Sequence, residues 1–157
     1  THDIEKCHEV SEKTFIHVFE ELDKMNIYLE GIVLKPNMIV SGLDCPSQAS
    51  ILEVSQRTVE CLKKTVPYNV PGCAFLSGGQ TSENATLHLN AMNKEYVNDL
   101  PWNLTFSYGR ALQSSALTAW NGKVDNVSSA QKIFFERAKL NGLATLGDYK
   151  KDMELSV

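Results

Sequence analysis

Three short stretches carry residue types that can act together on a phosphorylated carbonyl compound. The first is YLEGIVLKPNM, Tyr28 to Met38, in which an apolar run ends on Lys35 and is pinned by Pro36. A lysine amine attacks a carbonyl only as the free base, and its ordinary pKa is near ~10.4. Apolar walls or a neighbouring cation depress that value and free the nucleophile. The second stretch is FLSGGQ, Phe75 to Gln80. Ser77 supplies a hydroxyl, and Gly78 and Gly79 let the backbone approach a ligand closely. A helix predicted to start at once aims its free N–H groups at the same place. The third is FSYGR, Phe106 to Arg110, which repeats the pattern with Ser107, Gly109 and Arg110. The guanidinium of Arg110 can pair with a phosphate through two parallel hydrogen bonds. Each stretch alone also fits an ordinary turn; their joint occurrence is far more specific.

An acid/base partner for Lys35 is less evident. Glu30 lies five residues earlier, ~16 Å away at ~3.3 Å per residue, and the odd separation turns it to the other strand face. It reads as structural, at the bottom of the sheet. Tyr108 sits in the third stretch without an assigned role, and Asp44 can reach the lysine's end of the sheet on its loop.

The elements needed to hold these residues follow from periodicity. Helical spacing predicts helices over Asp3 to about Lys24, Ser47 to Lys64, Thr81 to about Lys94, Arg110 to Asn121 and Val127 to Asn141. The inner faces are expected to carry Phe15, Phe19, Leu52, Leu62, Leu89, Trp120 and Phe134, among others. Strands are predicted at Tyr28–Met38, Gly72–Leu76 and Trp102–Phe106. Residues 143–157 lose the period and read as a loose tail. Helices alternating with strands mean βα units and a parallel α/β sheet. A doubly wound sheet and a (β/α)8 barrel remain as candidates, and no strand is followed by G-x-G-x-x-G. In a barrel, function gathers at the C-terminal ends of the strands, where the three stretches lie. A full barrel takes ~250 residues, so three strands in 157 residues read as a single partial domain, 1–157.

The net charge of −4 argues against nucleic acid or an anionic membrane as the main partner. The start, THDIEKCHEV, does not read as a signal peptide. Four scattered cysteines read as free thiols, and the four histidines lack the grouping of a metal site.

YLEGIVLKPNM, FLSGGQTSENATLHLNAMN and LTFSYGRALQSSALTAWNGK together resemble class I fructose-bisphosphate aldolase, from Thr1 to about Asp148. The resemblance implies a (β/α)8 TIM barrel of which this chain is the second half, strands six to eight with their flanking helices. It implies that Lys35 forms a Schiff base with the ketose phosphate. Ser77, Gly78 and Gly79 then bind one substrate phosphate, with Ser107, Gly109 and Arg110 around the same group. The reaction implied is reversible cleavage of fructose 1,6-bisphosphate into dihydroxyacetone phosphate and glyceraldehyde 3-phosphate in glycolysis, with neither metal nor cofactor. A cytoplasmic homo-oligomer is also implied, a tetramer in the family, with actin or acidic peptides as further binding partners. The family's acid/base glutamate falls on the fifth strand, ahead of Thr1, and the final KKDMELSV lacks the family's terminal tyrosine. Catalysis is therefore expected to need the first half. The alternatives are a non-catalytic fragment or scaffold on the same fold, and another Schiff-base sugar-phosphate lyase.

Overall fold

The structure, a computed structural model, describes residues 1–156, with side chains through Glu154. Each of the first three long helices starts where the sequence offers a cap. Helix α1 (Ile4–Lys24) is capped by Asp3, whose carboxylate accepts from Lys6 N at 2.8 Å. Helix α2 (Ile51–Thr65) is capped by Ser50, and α3 (Ser82–Glu95) by Thr81. Each such cap is worth about 1 kcal/mol. Helices α4 (Arg110–Trp120) and α5 (Val127–Ala144) complete the set. Asn121, in the left-handed region at φ 48°, closes α4, with Gly122 following at φ 69°.

Two parallel strands, β1 (Gly72–Phe75) and β2 (Asn103–Phe106), pair in register from Gly72 with Asn103 to Phe75 with Phe106. The expected first strand is different. Leu29–Gly31 is a turn of 3₁₀ helix, and Leu34 alone makes a ladder contact, with Cys73. Three backbone bonds still hold the segment to β1: Leu34 N to Gly72 O (3.1 Å), Ala74 N to Leu34 O (2.8 Å) and Leu76 N to Pro36 O (3.0 Å). The segment is not buried on both faces either, since Tyr28 and Val33 are 73% and 62% exposed. A strand keeps regular geometry when it is paired on both edges and packed on both faces. This one has β1 on one edge only, and Pro36 removes a donor.

The core lies between the strands and the helices. Phe75, Leu62, Leu89, Val54, Val59 and Met92 are at most 2% exposed. Several expected core positions face outward instead: Leu52 at 65%, Trp120 at 42% and Phe134 at 41% exposure. On α5 the buried line is Ala130, Arg137, Leu140, Asn141 and Ala144. Polar Arg137 and Asn141 hide the true face from a reading that counts only apolar residues.

The expected loose tail is packed over its described part. Helix α5 runs on to Ala144, the chain turns at Gly147 (φ +76°), and Lys151–Ser156 form a 3₁₀ helix. Gly147 has no room for a Cβ, which would lie 3.0 Å from Lys94 Cα. Tyr149 is 4% exposed, and its N–H donates to Asn90 Oδ1 at 2.9 Å. The anchor is a polar network, which periodicity does not register. Among the described residues no helix is long and apolar enough to cross a membrane.

Candidate active site

Register decides which side chains share a face. Leu34, Cys73 and Leu104 are partners across the sheet, and Cys73 and Leu104 are buried towards the helices. Burial pushes the Cys73 thiol up to about 12, so it is inert as a nucleophile. Successive strand residues alternate faces. Lys35, Ala74 and Thr105, one step along each strand, therefore project from the opposite face, the side a closed barrel turns inward. Lys35 is exposed there.

Past the strand ends, the chain forms two loops side by side. Phe75 and Phe106 are paired, and Ser107 N donates to Phe75 O at 2.8 Å, so both loops leave the sheet at one level. In the first, Ser77 is buried and its carbonyl accepts from Gln80 N at 3.0 Å. Gly78 and Gly79 take φ +56° and +84°, where a Cβ is penalised, so the backbone itself demands glycine at both. Thr81 then caps α3, its hydroxyl accepting from Asn84 N at 3.1 Å. In the second, Ser107 and Arg110 are exposed, and Gly109 is the N-cap of α4, with open space where a Cβ would stand. The fold thus brings Lys35, the 77–79 loop and the 107–110 loop to one end of three parallel segments. Glu30 sits at the opposite end, accepting from Asn69 Nδ2 at 3.0 Å just ahead of β1.

Tyr108 is the residue whose part the sequence left blank. It is 5% exposed, and its hydroxyl donates to the Ala85 carbonyl of α3 at 2.9 Å. The bond ties the second loop to the helix that follows the first. Burial raises its phenol above the usual range, which keeps the donor proton in place.

A cleft of about 500 Å³ adjoins the first loop on its other side. Gly78, Gly79, Leu43, Asp44, Thr81 and His88 are among its lining residues, and Lys35, Ser107 and Arg110 are not. His88 has Nδ1 2.6 Å from Gln80 Oε1, and burial lowers its pKa to about 4, so the ring is neutral near pH 7. An isolated histidine in a helical stripe gives no sequence signal of this contact. It appears only once Gln80 is folded over it.

A lysine one residue past the Leu34 bridge, beside two Ser/Gly loops that lead from parallel strands into helices, belongs to a partial barrel of βα units. The sequence model described as fructose-bisphosphate aldolase class-I matches residues 1–156, and the chain belongs to that family. It is 50% identical over 149 residues to fructose-bisphosphate aldolase B of Sparus aurata, covering 95% of this chain and 41% of that relative. It is 52% identical over 151 residues to the probable class 1 aldolase of Xanthomonas axonopodis pv. citri, covering 96% and 45%. A crystal structure of fructose-bisphosphate aldolase from Plasmodium falciparum, in complex with TRAP and a small-molecule inhibitor, matches with a TM-score of 0.90 and 46% identity over 95% of this chain and 42% of that one. The chain thus spans less than half the length of these relatives. The fold is a partial (β/α)8 barrel, and the coverage agrees with the expected half-barrel.

Proposed function

We propose that this chain is the lysine-bearing half of a class I fructose-bisphosphate aldolase. Lys35 forms the Schiff base with the ketose phosphate, and Ser77, Gly78, Gly79, Ser107, Gly109 and Arg110 hold one substrate phosphate. The observation that carries the reading is the common level of the two loops beside the inward face of Lys35, in a chain of this family. The neutral amine adds to the ketone carbon, and loss of water leaves an iminium. That cation draws electrons from the breaking carbon–carbon bond, while the anchored phosphate fixes the ketone for attack.

Lys35 is exposed in the half-barrel, so the low-dielectric wall that frees its amine comes from the rest of the barrel. Activity therefore requires the first half, which also brings the acid/base group. Borohydride reduction with dihydroxyacetone phosphate, in a preparation containing both halves, leaves a reduced adduct on Lys35 by peptide mass mapping. Lys35→Met abolishes it. No adduct at Lys35 in the complete barrel sinks the reading.

The family relation supports a sugar phosphate as substrate and a homo-oligomer as the assembled form. A named relative, aldolase 4 of Arabidopsis thaliana, is described as cytosolic, which supports a cytoplasmic setting. The neighbour in complex with TRAP supports a further binding partner, for which we propose an acidic peptide. A pull-down with acidic or actin-derived peptides tests this last point, and loss of Schiff-base trapping with binding retained favours the scaffold reading.

A further inference from the structure

Outside the site, a largely buried polar cluster lies where the terminal segment meets α3 and α5. Arg137, 8% exposed, donates from Nη1 to Glu154 Oε2 at 2.8 Å and from Nη2 to Glu154 Oε1 at 2.6 Å. The Tyr149 hydroxyl donates to the same Oε1 at 2.7 Å. The Arg137 Nη2 also donates to Thr86 Oγ1 at 3.2 Å, and the Thr86 hydroxyl is 2.8 Å from Ser82 O and 2.7 Å from Asn141 Oδ1. Lys151 pairs with Glu83 at 2.7 Å, and Tyr149 N–H donates to Asn90. The segment thus grips α3 directly at Glu83 and Asn90, and reaches Thr86 between them through Arg137 of α5.

Helix α3 is also the common reference of both loops. Its cap, Thr81, follows the 77–79 loop with only Gln80 between, and its Ala85 carbonyl holds Tyr108 of the other loop. We propose that the Arg137–Glu154–Tyr149 cluster is a positioning clamp, through which the terminal segment sets the spacing of the 77–79 and 107–110 loops and hence their grip on an anion. The proposal rests on the anion-binding reading of those loops. A ligand held from two sides needs a fixed spacing, and a small displacement weakens every bond at once. Without the Glu154 carboxylate, the buried Arg137 charge must turn elsewhere, and Thr86 loses its ordered donor.

The test is amide hydrogen exchange in the folded 157-residue chain, with the first half supplied where the chain alone self-associates. Gly78, Gly79 and Gly109 report on the loops, and Leu62, buried in α2 away from the clamp, reports on global opening. Glu154→Gln is expected to speed exchange at the three glycines on the order of tenfold relative to Leu62. Inorganic phosphate, titrated by NMR at the same amides, is expected to bind about three- to tenfold more weakly. Tyr149→Phe, which removes one donor only, gives a smaller change of the same kind. Glycines that move only as far as Leu62 make the clamp a mere source of stability and overturn the proposal. Where Glu154→Gln fails to fold, the same comparison in Tyr149→Phe decides. Loop exchange that responds while phosphate shifts no glycine in the parent chain upholds the clamp and sinks the anion reading.

Discussion

Gly79, Tyr108 and His88 each do something that a substitution can isolate. Gly79 holds φ +84° beside Leu43, whose Cδ1 would meet a Cβ at 3.4 Å. Contact is tolerable and conformation is not, so Gly79→Ala is expected to cost roughly 1–2 kcal/mol by urea denaturation. It also shifts the neighbouring Gly78 amide in NMR spectra. His88 gives a pH signature. Burial lowers its folded pKa to about 4, below the ordinary histidine value of 6.5. Between those values the unfolded chain binds more protons than the native one. Stability is therefore full above about pH 6.5 and falls as the pH drops towards 4, by on the order of 3 kcal/mol. His88→Gln is expected to flatten that part of a stability–pH profile, measured by urea midpoints. Lys35 and Arg110 were legible as residue types at telling positions. Tyr108 and His88 were not, because their meaning resides in the Ala85 carbonyl and the Gln80 amide, partners that sequence spacing does not pair.

At the scale of elements, α3 is the part on which most else depends. Ala85, Leu89 and Met92 of its stripe are fully buried, as the spacing predicted, and the boundaries differ from expectation by a residue at each end. Thr81→Ala removes the cap bond to Asn84 N and is expected to lower stability by about 1 kcal/mol in urea melts, with early fraying of the first turn. Reading apolar periodicity alone failed for α5, where Arg137 and Asn141 occupy the inner line. It failed for the same reason in residues 149–154, held by hydrogen bonds and ion pairs. Burial opposes ionisation of Glu154, but the bonds from Arg137 and Tyr149 outweigh it and keep the carboxyl below its usual range. Removing one partner of a fully buried pair costs about 3–5 kcal/mol; Glu154 keeps some solvent exposure, so Arg137→Leu is expected to cost less than that and to lower the melting temperature by several degrees.

For the whole molecule, what stands out is unfinished surface. The segment around Val33 has β1 on one side only, β2 has β1 on one side only, and Val10, Met25, Tyr28 and Val33 are at least 50% exposed. Open edges and exposed apolar side chains of this kind promote association. The chain alone is therefore expected to bind a hydrophobic dye and to self-associate with concentration in light scattering. Adding the first half of the barrel is expected to suppress both and to raise the melting temperature by mass action. Unchanged dye binding on mixing would count against a complementary half. The parallel topology was readable from the alternation of elements. The irregularity of the Tyr28–Met38 segment was not, because an apolar run states what a strand prefers and its neighbours decide whether it gets it.

The bond from Tyr108 to Ala85 has a consequence for how the protein can vary. Its acceptor is a main-chain carbonyl, which no exchange of the residue at 85 deletes while α3 remains helical. Drift at that position is limited by volume, since Ala85 is fully buried. The donor is a single phenolic oxygen, lost in one step to phenylalanine. The tie between the loops is therefore mutationally lopsided: robust on the helix, fragile at one atom of the loop.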